Sequence, residues 1–99
     1  MIDNFFTTSF STKRLKTDQS AYETKLTGQY CHIQPESGEP IELDNGAFYL
    51  IYNMWCGESK DIKVGDQVII GDNTYQVREV KNLDMGGQPH MEIILALGL

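Results

Sequence analysis

Four side chains in this sequence are those that a zinc site or a thiol nucleophile would draw on: Cys31, His32, Cys56 and His90. Structural zinc sites bring thiolate and imidazole ligands in pairs, at C-x-x-C or H-x-x-x-H spacing, so that a short segment offers two ligands at once. Neither spacing occurs here. Cys31 and His32 are consecutive in a run that reads as a strand, so they point to opposite faces of it. A thiol nucleophile needs a histidine and an orienting amide converging on it in a cleft, and nothing in the spacing brings them together. The glycines form neither a G-x-G-x-x-G nor a P-loop string. The sequence is therefore read as non-enzymatic, with no catalytic residues, no metal and no cofactor. Both cysteines lie in apolar β-type runs, where a free thiol behaves as a small hydrophobe, and two are too few for a disulfide framework.

Those residues must be carried by a small scaffold. Ninety-nine residues bury about 60 to 70% of the surface their unfolded chain exposes, enough for one thin core. No apolar run approaches the ~20 residues needed to cross a bilayer, and the start MIDNFFTTSF lacks a signal-peptide pattern, so a cytosolic origin and no membrane partner are expected.

The clearest element signal lies in residues 61 to 97. Asp66 to Ile70 and Thr74 to Lys81 are β-rich runs separated by Gly71, Asp72 and Asn73, residues suited to a tight hairpin loop. A second turn falls where Asn82, Asp84, Gly86, Gly87 and Pro89 interrupt the pattern, before Met91, Ile93, Leu95 and Leu97 resume with period two. Val68, Ile70, Tyr75, Val77 and Val80 are assigned to the core, and the three-residue step from Val77 to Val80 predicts a bulge.

Earlier in the chain, Ser11 to Leu15 forms a short first strand and residues 16 to 25 a polar connection. A second strand covers Gln29 to Gln34 and stops at Pro35. Residues 35 to 46, PESGEPIELDNG, are a long loop, part of which extends as a hairpin. Ala47 to Cys56 is the most apolar strand, with Phe48, Leu50, Tyr52 and Met54 on one face and Tyr49, Ile51, Asn53 and Trp55 on the other. The expected fold is all-β: a small single-domain antiparallel β-barrel over residues 12–99, preceded by a flexible N-terminal arm over 1–11. Its long loop lies between the second and third strands. Aromatics Phe5, Phe6 and Phe10 in the arm either close off a barrel end or sit in a neighbouring subunit.

Charge narrows the partners. Fourteen carboxylates against eight basic side chains give a net charge of −6, a field that repels a phosphate backbone. From Leu26 to Ser59 there is no lysine or arginine, while Glu36, Glu39, Glu42, Asp44 and Glu58 all fall there. Tyr30, Phe48, Tyr49, Tyr52 and Trp55 could stack bases only with cations beside them, which their strands lack, so they are read as core or interface packing.

The order of features resembles the small head-tail joining proteins of tailed bacteriophages. The resemblance rests on Cys31-His32-Ile33-Gln34-Pro35 with Ser37-Gly38 after it, then the long apolar strand and Asp61-Ile62. Gly65-Asp66, Gly71 through Tyr75-Gln76-Val77, and His90-Met91-Glu92-Ile93 complete it. It spans about residues 12 to 97; in place of an arginine-rich first strand this chain has Lys13, Arg14 and Lys16. The resemblance implies a virion structural protein of the neck, a head-tail connector or stopper made in the bacterial host cytoplasm. It implies a homo-oligomeric ring with the portal or an adaptor above and tail proteins below, extending the DNA channel, retaining packaged DNA and presenting a tail attachment surface. Glu36, Glu39, Glu42 and Asp44 would then line or plug the channel, with duplex DNA contacted weakly and without sequence specificity. Phe5, Phe6 and Phe10 would dock on a neighbouring subunit or the portal. The alternative from the residues alone is a small SH3-like or OB-like adaptor barrel that binds a protein or peptide.

Overall fold

A computed structural model describes residues 7–36, 38–43, 46–58, 60–85 and 88–98. Every regular element among them is a strand: β1 (Thr8–Leu15), β2 (Tyr22–Pro35), β3 (Ile41–Glu42), β4 (Phe48–Gly57), β5 (Gln67–Ile70), β6 (Asn73–Met85) and β7 (Gln88–Gly98). Hydrogen bonding runs in the order β2-β1-β5-β6-β7-β4-β3, and β2 also pairs with β4. Six antiparallel strands therefore close into a barrel, with β3 as an extra strand on β4. The closing seam sets Cys31 opposite Cys56 and continues to Pro35 opposite Tyr52. Where β2 leaves off, β3 takes its place along β4, with Ile41 opposite Tyr49 and Glu42 opposite Phe48.

Alternation dictates what fills the barrel. Met54 and Cys56 of β4, Val68 of β5, Tyr75 and Val77 of β6, and Met91, Ile93 and Leu95 of β7 point inward and are buried. Ile70, Val80 and Leu97 pack against this core from partly buried positions. The Tyr52 and Tyr75 rings meet edge to face at 5.1 Å, a geometry favoured by the ring quadrupoles. Burying a large apolar side chain contributes roughly 1.5 to 3 kcal/mol, so these few residues carry most of the stability of so small a domain. The bulge expected after Val77 is present, as a register shift between Val77 and Glu79 against β7. The hairpin before it closes over two residues, with Ile70 opposite Asn73 and Gly71 at φ 59°, a value glycine adopts without steric cost.

Three boundaries differ from the sequence reading. β1 begins at Thr8, and Phe10, assigned to the arm and to an intersubunit contact, is a core residue at 3% exposure. Strand alternation turns Phe10, opposite Gln29 of β2, into the same core as Cys31 and Val68. Phe5 and Phe6 lie outside the described residues. Secondly, β2 starts at Tyr22 within the stretch read as a polar connection. Its first four residues are exposed on both faces and paired only with β1, so no buried face imposes an apolar period on them. At Gly28, φ 63°, β2 bulges against β1 and the register shifts. Thirdly, β6 and β7 stay paired out to Met85 opposite Gln88, through Asn82, Asp84 and Pro89. Pro89 lies beyond the last β4 partner, His90, on an edge where its missing N–H costs no ladder bond. The turn glycines Gly86 and Gly87 are outside the described residues.

Candidate functional site: a charged latch and two exposed surfaces

The sulfurs and imidazoles do not assemble into a site. Cys31 and Cys56 face each other across the seam, fully buried among apolar side chains. Burial pushes the Cys31 thiol up to about 12, aided by Cys56, and pushes Cys56 up to about 11 against the opposing pull of Lys60. Thiols held protonated in this way are poor nucleophiles and poor ligands. His32 turns to the outer face, 5.7 Å from the Trp55 ring, while His90 is buried on β7 opposite Gly57. Among the described residues no three His, Cys, Asp or Glu side chains are grouped to hold a metal ion.

A structured charge cluster does exist, on the loop leading into β5. Arg14 Nε donates to Asp66 Oδ1 at 2.8 Å, and its Nη2 donates to Asp66 Oδ2 at 2.8 Å. The same guanidinium reaches both carboxylate oxygens of Asp61, at 3.2 and 3.1 Å. Asp66, only 2% exposed, also accepts from the Lys63 backbone N–H at 2.9 Å. Hydrogen bonds from Asp66 and then Asp61 hold the guanidinium above its ordinary value, and Arg14 in turn keeps the Asp61 carboxyl below the usual range. Between the two aspartates Ile62 inserts into the core, and the Gly65 and Asp66 backbone exchanges hydrogen bonds with Val77. The cluster is a latch that pins the loop to β1 and β6. Sequence reading placed Gly65-Asp66 at the strand entry but did not pair it with Arg14. The available signal was a lone arginine in a strand and two aspartates five residues apart.

Beside the latch lies a shallow groove of about 430 Å³ lined by Tyr22, Val64, Gly65, Gln76, Val77 and Arg78. Its apolar rim is exposed: Leu15 by 40%, Tyr22 by 43% and Val64 by 66%. Leu15 and Tyr22 are cross-strand partners at the tip of the β1–β2 hairpin. Arg78 and Lys63 stand at this surface, and among the described residues neither forms an ion pair.

The expected channel loop sits elsewhere. Glu36 follows β2 and donates its backbone N–H to Ile51 O at 2.8 Å, Glu39 is exposed, and Glu42 lies in β3 opposite the half-exposed Phe48. Leu43 donates to Ala47 O and Gly46 to Leu43 O, closing the connection to β4. Asp44 lies outside the described residues. The structure thus gathers Glu36, Glu39 and Glu42 at one side of β4, while Phe10 is in the core and shares no surface with them.

No known protein-family model matches the chain, and no curated protein matches it either. The functional reading therefore rests on the barrel, its surfaces and the order of sequence features.

Proposed function

We propose that this chain is a structural subunit of the neck of a tailed bacteriophage or prophage. In this reading it is a connector or stopper that forms a ring under the portal, extends the DNA channel, retains packaged DNA and offers a surface to the tail. The observation that carries the reading is the β3 excursion. A closed barrel needs no seventh strand, yet the chain adds β3 in a stretch without a single cation, with Glu42 exposed on it and Glu36 and Glu39 exposed on the connection before it. Repeated round a ring, such carboxylates repel a passing duplex within a Debye length of about 8 Å and keep it from sticking. An adaptor barrel for a peptide is the second reading, favoured by the groove at Tyr22 and Val64.

Particle assembly tests the two. Replacing residues 36–40 by a shorter turn that keeps β3 is expected to leave incorporation intact and to raise nuclease-accessible DNA in the particles. Removal of residues 1–6 is expected to reduce incorporation while leaving the barrel folded. A deletion through Phe10 would not serve, because it would remove part of β1 and a core side chain. The purified chain is expected to show no submicromolar affinity for duplex DNA near 0.15 M salt. Absence of the chain from particles would exclude the neck reading and leave the adaptor.

A further inference from the structure

The barrel carries two exposed surfaces of opposite charge, each with large apolar side chains standing at it. The first is the groove at Tyr22, Val64 and Gly65, with Arg78 and Lys63 at its edge. The second is the β3–β4 end, where Phe48 is 54% exposed and directly opposite Glu42. The groove takes Tyr22 from the first residue of β2, whereas Glu42 and Phe48 pair beyond Pro35, the last residue of that strand. The two surfaces are therefore separated by the length of β2, so one copy does not seat its own Phe48 in its groove.

We propose that copies of this chain associate head to tail, with Phe48 of one seated in the Tyr22–Val64 groove of the next and its Glu42 paired with Arg78 there. An aromatic anchor in a groove, beside a charge pair, is the usual composition of an interface centre. The side of Gly65 facing outward is open: a Cβ built there meets nothing within 4 Å. Among the described residues Arg78 forms no ion pair, the latch being built on Arg14. Contact between two different surfaces is heterologous, and it closes into a ring when the rotation per subunit divides a full turn. Closure into a ring rests on the neck reading above; the pairing of the two surfaces does not.

Cysteine cross-linking tests the pairing. Ala47 adjoins Phe48 and Gln76 lines the groove, both exposed, whereas the native thiols are buried. With diamide at low ionic strength and high protein concentration, the Ala47→Cys, Gln76→Cys double variant is expected to give a ladder of dimers, trimers and larger species on a non-reducing gel. Each single variant is expected to stay monomeric. Adding Arg78→Glu should reduce the ladder by about tenfold or more, since like charges then face each other, and adding Glu42→Arg to that chain should restore it. Melting curves of the two charge variants should match the parent, because both residues are exposed. Dimers from either single variant, absence of a ladder, or a ladder indifferent to Arg78→Glu would each overturn the assignment. Scoring the same charge variants for particle incorporation separates the two ideas. Normal incorporation by Arg78→Glu removes this interface and leaves the neck reading, while a ladder from a chain that never enters particles does the reverse.

Discussion

Around Asp66, one cation is held between a buried and an exposed carboxylate, whereas at the β3–β4 end the carboxylates of Glu36 and Glu42 face outward with no lysine or arginine in the surrounding sequence. Both regions hold short stretches rich in acids, and composition does not distinguish them. Topology does. Asp66 sits where a loop must be tied down before β5, so its charge serves the barrel's own stability. β3 is added outside the closed ring, so its charges are left for whatever the barrel meets. The predictions below test that division, from the core shared by both regions to the exposed carboxylates themselves.

The core comes first. Ile93 is fully buried between Met54 of β4 and Val80 of β6. Ile93→Ala is expected to cost about 2 to 4 kcal/mol, measured by urea unfolding, with folding weakened at both regions alike. An unchanged unfolding midpoint would mean that β7 is out of register.

Much of this core was legible in the sequence, because β5, β6 and β7 alternate under a one-sided burial constraint and Gly71 marks their hairpin. The bulge after Val77 was legible as a broken period. Phe10 was not, since β1 reads as small polar residues and its inward positions include Thr12, which leaves no apolar stripe to see. Residues 22–25 were missed because they have no buried face. The latch was missed because Arg14 and Asp66 are 52 residues apart in sequence, and only the β1–β5 pairing brings them together. Glu36, Glu39 and Glu42 were legible as an exposed acidic stretch, but the pairing of Glu42 with Phe48 across β3 and β4 required the register.

Asp66→Asn breaks the latch while keeping its shape. The guanidinium loses its buried partner but retains Asp61, and the Lys63 N–H faces a weaker acceptor. A loss of about 1 to 3 kcal/mol is expected. Asp61→Asn, at an exposed carboxylate, should change stability by less than about 1 kcal/mol. Equal losses from both variants in urea unfolding would show that the latch does not depend on the buried carboxylate.

Alkaline stability probes the seam that joins β2 to β4. Both thiols titrate higher in the fold than their ordinary value, Cys31 near 12 and Cys56 near 11. The folded state therefore binds protons more tightly than the unfolded chain. The associated stability is fully present below pH 9 and is lost as pH rises through about 11 and 12. One pH unit above the ordinary value, each thiol is expected to cost about 1 kcal/mol. Urea midpoints at pH 8 and pH 10 should differ accordingly, and replacing both cysteines by valine should flatten the difference.

Thr12 offers a gain. Its side chain is fully buried, with Oγ1 lacking a hydrogen-bond partner among the described residues, between Leu26 of β2 and Val68 of β5. An unpaired buried hydroxyl is destabilising, so Thr12→Val, of nearly the same shape, should stabilise by about 1 kcal/mol. A lower melting temperature would show that the hydroxyl has a partner.

The smallest effect on stability belongs to Glu42, and it separates the two regions most directly. Glu42 is exposed on a two-residue strand that the closed ring does not require. Glu42→Gln should therefore change the unfolding free energy, measured in urea, by no more than about 0.5 kcal/mol, well below the loss expected from Asp66→Asn. If the carboxylate is left for an outside partner, its removal must register there, as weaker head-to-tail cross-linking at low salt. The difference from the parent should shrink as salt screens the pair, because charges further apart than a Debye length of about 10 Å at 0.1 M ionic strength scarcely interact. A large stability loss from Glu42→Gln would place this carboxylate with Asp66, as part of the fold's internal charge balance, and would leave β3 without a surface role.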